Sequence, residues 1–151
     1  MTERTTAQTA AALIALGFLV VGVAGFVPGV TTDYTGFDTT GRTADAELFD
    51  VFRTSVLHNA IHLAFGVAGL VLARSPVGAW VFLVGGGSLY LDLAIYGFAI
   101  DLGSRANFVP LDTADNVLHL VLGAAMVALG DRKSTRLNSS HSRASRMPSS
   151  A

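Results

Sequence analysis

Cysteine is absent from the 151 residues. Disulfides, thiolate metal sites and cysteine nucleophiles are therefore excluded. Charge is scarce too: 14% of residues are charged, against roughly 25% in an average soluble domain. Lysine occurs once, at Lys133. No Ser-His-Asp order, nucleotide-binding loop or HExxH motif occurs, so no common catalytic signature is present. What the chain does have is hydrocarbon: 51% of residues are hydrophobic and the mean hydropathy is +0.52. That balance points to lipid rather than water.

The charge is unevenly placed. The chain carries −1 overall, and Asp131 to Ala151 carries +4, with Arg132, Lys133, Arg136, Arg143 and Arg146 against Asp131; residues 1–130 therefore carry −5. No basic patch for nucleic acid exists there, and a nucleic-acid partner is excluded. The stretch DRKSTRLNSSH back-translates to a common short-read sequencing adapter, and SRMPSSA fits the primer that follows it. The expectation is one domain over residues 1–130 and a non-native, disordered tail over 131–151. A disordered basic tail is the rival reading. No role is assigned to the tail, including His141.

Four apolar stretches follow one another. Ala10 to Val27 ends at Pro28 and is long enough to span. Its Gly17, Gly22 and Gly25 would let another helix approach closely. A cleaved signal peptide is the alternative there, although TERTT is barely basic and Gly22-Val23-Ala24 is a poor cleavage site. Gly29 to Ala44 reads as a loop, with Tyr34 and Phe37 at the interface. Thr43 or Asp45 is the expected N-cap of a second helix running unbroken to Arg74. Its first turns, AELFDVFRTS, read as an amphipathic extension in the headgroups. Ser75-Pro76 stops that helix and turns the chain back. Val77 to Ile100 is the third span, with Trp80 as an interfacial anchor and Gly85, Gly86 and Gly87 inside it. After a second loop, Asp112 caps the last span, Ala114 to Gly130, with Asp115 as its capping-box partner.

The fold class is therefore all-α: an antiparallel, up-down four-transmembrane-helix bundle. Its termini share one side, read as cytoplasmic, with the acidic loops outside. Its partners are the lipid bilayer and either a second copy or another membrane protein. GVTTDYTGFDTT is the loop surface for such contact.

Polar side chains in hydrocarbon are costly and mark function or pairing. His58 and His62 are four apart and share a helix face, as do Asp115 and His119. Asn59, His62, Leu63, Gly66 and Ala68 recur in the same spacing as Asn116, His119, Leu120, Gly123 and Ala125. The second and fourth helices thus present equivalent polar faces and run parallel. By helical rise, His58 and His62 lie roughly 8 and 14 Å deep, His119 roughly 10 Å and Asp92 roughly 12 Å. A cluster of His58, Asn59, His62, Asp92, Asp115, Asn116 and His119 in the loop-side half is the expected site. Three readings are open. In the first, the side chains are interhelical glue that fixes register. His58, His62 and His119 are candidate ligands for a divalent metal, and His62 with His119 for haem. Asp92 beside a histidine would also make a proton or ion path. A structural or interaction role is the primary expectation.

The stretches GFVPGVTTDY, ELFDVFRTSVLHNAIHLAFGVAGL and NFVPLDTADNVLHLVLGAAM, in that order, carry a resemblance. The chain resembles a family of small four-helix bacterial membrane proteins, common in actinobacteria, defined as a domain of unknown function. The resemblance implies four spanning helices in a bacterial plasma membrane and no particular activity. The residues that match are His58, Asn59, His62, Asn107, Pro110, Asp115, Asn116 and His119. Asp92 lies outside the matching stretches.

Overall fold

The computed structural model describes residues 4–40, 46–108 and 111–144, with side chains through Asp131. The chain is predominantly helical. We label its helices α1 (Thr6–Ala24), α2 (Val56–Leu72), α3 (Pro76–Ala99) and α4 (Thr113–Ala144). Three apolar segments, α1, α3 and Thr113–Asp131 of α4, are long and apolar enough to cross a bilayer. α2 is shorter, at 17 residues. The outer faces carry exposed Leu13, Val20, Val77, Ile95 and Val121. So much exposed apolar surface is the mark of a lipid or partner contact rather than of a soluble monomer.

Local chemistry sets each helix end. Thr5 and Gln8 form a capping box at α1, which satisfies two otherwise orphaned N–H groups. The Gln8 amide then donates to the carbonyls of Ala73 and Arg74, at 3.2 and 3.1 Å. The start of α1 is thereby tied to the end of α2, so the two run antiparallel. Ser75 caps α3 by accepting from Gly78 N at 3.0 Å, with Pro76 in the first turn. Pro at that position loses no hydrogen bond. A π turn occupies Val81–Gly85 of α3, ending on the first glycine of the run.

α1 packs chiefly on α2, and α3 on α4. Small residues permit both contacts. Ala7, Ala11 and Ala15 form a buried stripe on α1, four residues apart on one face. A Cβ at Gly66 would stand 2.9 Å from the Ala15 carbonyl oxygen, and one at Gly123 would stand 2.8 Å from the Gly87 carbonyl oxygen. Phe18, Phe82, Leu83, Tyr90 and Met126 fill the space between the pairs.

The second helix does not begin where the sequence suggested. Glu47–Leu48 and Phe52–Arg53 are strands β2 and β3, joined with β1 (Thr31–Thr32) in a small antiparallel sheet of order β1-β2-β3. The expected amphipathic extension is therefore a hairpin. Its turn places Phe49 and Asp50 at φ 59° and 57°. Left-handed residues at both turn positions match the twist of a hairpin, but Phe gives no sequence signal for it. A short run such as ELFDVF fits helix and strand alike. Ser55 is the N-cap of α2, accepting from His58 N at 3.1 Å. Thr43, Asp45 and Pro110 lie outside the described residues. The backbone of 131–144, expected to be disordered, continues α4 as helix; extending an existing helix avoids the cost of nucleating a new one.

Candidate functional site

The N-terminal turns of α2 and α4 build the site. Asp112 accepts from Asp115 N at 2.8 Å, and Asp115 accepts from Asp112 N at 3.3 Å. This is the reciprocal cap expected from sequence. Arg53 N also donates to Asp112 at 3.1 Å, which fastens the hairpin to α4. Asn107 folds the second loop. Its amide donates to the carbonyls of Leu102 and Leu111 at 3.0 and 2.8 Å, and its oxygen accepts from Leu111 N at 3.0 Å.

One turn into each helix sits a buried asparagine. Asn59 and Asn116 are each 1% exposed. Asn59 lies against Gly25, where an added Cβ would be 2.1 Å from Asn59 Oδ1; at Gly97 it would be 1.8 Å from Asn116 Oδ1. Each asparagine thus fills the space left by a missing side chain on the paired helix. Thr54 Oγ1 also donates to Asn59 Oδ1 at 2.7 Å.

These contacts belong to a repeat of the whole helix pair. Gly25 meets Asn59 as Gly97 meets Asn116. Ala15 and Leu19 meet Gly66 as Gly87 and Leu91 meet Gly123. Phe18 meets the His62 ring at 5.6 Å, and Tyr90 meets the His119 ring at 4.8 Å. The spacing in sequence between counterparts is constant, on α1 and α3 and again on α2 and α4. Phe18 and Tyr90, one from each half, touch at 5.4 Å.

Two cavities flank that contact. One, of about 270 Å³, includes Ile14, Phe18, Val21, Asp115 and Leu122. The other, of about 230 Å³, includes Leu57, Ile61, Phe65, Leu89 and Leu93. Both are lined by His58, His62, Tyr90 and His119. His58 and His62 stack at 4.5 Å. His62 Nδ1 lies 3.0 Å from the His58 carbonyl oxygen. A carbonyl only accepts, so Nδ1 carries a proton and, in the neutral ring, Nε2 holds the free lone pair. His58 Nδ1, Asn59 Nδ2, Asn116 Oδ1 and His119 Nδ1 are buried with no hydrogen-bond partner among the described residues.

Of the residues expected from sequence, His58, Asn59, His62, Asp115 and His119 share the first cavity. Asn116 lies behind it against Gly97. Asp92 lines neither cavity and is exposed on the outer face of α3. Its counterpart on α1, Val20, is 67% exposed. The inward stripe of α3 is instead Gly86, Gly87, Tyr90, Ala94 and Gly97. Small residues, rather than polar ones, mark the packed face of a membrane helix. That glycine-lined stripe was the available signal for Tyr90. Among the described residues, no group of three His, Cys, Asp or Glu is arranged to hold a metal ion.

A family model for a domain of unknown function (DUF4383) matches residues 8–131. The chain belongs to that family. No curated protein and no solved structure matches it.

Proposed function

For this member of a family of unknown function, we propose a membrane-embedded binding protein. Four spanning helices hold a small lipid-soluble guest beside His58, His62 and His119. The observation that carries this reading is the pair of apolar cavities meeting at those histidines, with unpartnered polar atoms buried around them. A concave apolar site with a few convergent polar groups is the usual form of a small-molecule pocket.

In this reading α2 also spans. Its 17 residues reach about 26 Å at 1.5 Å per residue, and about 17 residues is the lower end of the spanning range. The membrane is a bacterial plasma membrane, with the termini cytoplasmic and the acidic loops outside. Asn59 and Asn116 act as interhelical glue, supported by their fit against Gly25 and Gly97. A haem reading stands second. It is favoured by the free Nε2 of His62, because a second-shell bond at Nδ1 is how ligating histidines are oriented. Its weakness is size. A cavity of about 150 Å³ takes benzene, so cavities of about 270 and 230 Å³ suit one or two rings rather than a tetrapyrrole.

The test uses the full chain, purified without a histidine tag in mild detergent. Organic extraction with mass spectrometry, an absorption spectrum and metal analysis are run on one sample. The expected result is a stoichiometric apolar molecule that is lost in His62→Leu and His119→Leu. A Soret band would move the assignment to haem. A protein that is empty and takes up no apolar probe would refute binding. Topology is checked separately. Because the chain has no cysteine, single cysteines at Gly36 and Ser104 report cleanly, and both should react with an impermeant maleimide from outside the cell.

A further inference from the structure

The repeat of the helix pairs extends to the two cavities. α1 packs chiefly on α2, and α3 on α4, which leaves two looser seams, α1 against α4 and α2 against α3. Each cavity lies in one seam. Apart from the four residues common to both, the helical wall of the first comes from α1, α4 and Asn59, and that of the second from α2 and α3. The walls are counterparts, at the same sequence spacings that relate Gly25 to Gly97 and Asn59 to Asn116. Gly17 and Val21 of the first cavity correspond to Leu89 and Leu93 of the second. Leu118 and Leu122 correspond in the same way to Ile61 and Phe65. Two like helix pairs related by an axis along the bundle reproduce their seams, so a guest that fits one seam has a second place to go. The likeness ends at the loop side, where Leu48, Phe49 and Phe52 of the hairpin line the first cavity, and Thr40 and Phe108 the second.

The cavities are also alike in size, about 270 and 230 Å³, and each exceeds the roughly 150 Å³ that takes benzene. Their accessible walls are almost wholly apolar. A guest therefore gains by restoring the dispersion contacts that the lining lacks, and needs no polar group to do so. The residues at the mouths are counterparts too, Leu118 at 44% exposure and Ile61 at 51%, so both cavities open sideways toward hydrocarbon.

We propose that the protein holds two equivalent sites, one in each seam, and that each takes one compact apolar molecule of one or two rings. This rests on the reading of the cavities as a place for a lipid-soluble guest.

The probe is tritiated naphthalene, in equilibrium dialysis of the full chain in mild detergent against a matched micelle blank. The expected result is two molecules bound per chain at saturation. Val21→Trp and Leu93→Trp make the same enlargement at counterpart positions. Each should lower the count from two to one, and the double variant should bind none. Should a tryptophan variant lose its helical circular dichroism, Gly17→Phe replaces it for the first cavity, since an added Cβ there meets nothing within 4 Å; the count on the parent chain needs no variant. One molecule per chain overturns the pairing and leaves a single binding site standing. Two molecules that survive either substitution lie outside the seams and overturn the assignment. Binding of none overturns both the pairing and the binding reading.

Discussion

A single methyl group at Gly97 tests the frame of the molecule. The new Cβ of Gly97→Ala would stand 1.8 Å from Asn116 Oδ1 and 2.5 Å from its Cγ, far inside contact distance. Asn116 is 1% exposed and has no outlet to water, so either the helices separate or the amide swings into the core. Overpacking of this kind costs about 1–3 kcal/mol. Stranding the amide adds about 1–3 kcal/mol. The better helix propensity of Ala returns at most about 1 kcal/mol. The net expectation is a loss of about 1–5 kcal/mol, from the same terms. It is measured by reversible dodecyl sulfate unfolding in mixed micelles, followed by circular dichroism. Gly85→Ala is the matched control on the same helix, because nothing lies within 4 Å of its added Cβ; it should be neutral or slightly stabilising. The double variant Gly97→Ala with Asn116→Ala should be more stable than Gly97→Ala alone, since the clashing group is gone. Such coupling is what contacting residues show in a double-mutant cycle. If Gly97→Ala and Gly85→Ala unfold at the same point, Asn116 does not sit where described and the glue argument fails.

Other expectations follow from individual contacts. Asp92→Leu should change unfolding stability by no more than about 0.5 kcal/mol, as for a surface site, and leave guest binding unchanged; lost binding would place Asp92 at the site after all. Asn107→Ala removes three hydrogen bonds from a 5%-exposed residue. It should cost about 1–3 kcal/mol and speed proteolysis within residues 101–108, read by mass spectrometry of the fragments. Ser55→Ala removes the cap of α2 and should cost about 1 kcal/mol; a hairpin-to-helix extension through Ser55 would instead make it neutral. Gln8→Leu should lower the unfolding midpoint by releasing the Ala73 and Arg74 carbonyls, while Gln8→Asn, one methylene short, should fail to rescue it.

The sequence by itself determined the number of helices, their apolar character and about half of their ends, those near Leu72, Pro76, Ala99 and Thr113. Those depend on local physics: run length against bilayer thickness, Pro76 after Ser75, and the reciprocal Asp112–Asp115 cap. It also revealed that Asn59 and His62 recur as Asn116 and His119, because equal spacing on two helices is visible without knowing how the helices meet. The β2–β3 hairpin was not legible, since ELFDVF fits either element and its turn uses Phe49 in a left-handed conformation that Phe does not signal. Only the tertiary structure decided which stripe of α3 faces inward. Polarity argued for Asp92, but in lipid the close approach of backbones is what selects the packed face, and the glycines at 86, 87 and 97 lie there. That choice turned Asp92 outward, brought Tyr90 between the cavities and extended the short Asn–His repeat to the whole helix pair. A membrane helix is apolar on every side, so its sequence pattern alone does not fix its rotation about its own axis. Packing against Asn116 and Gly123 does.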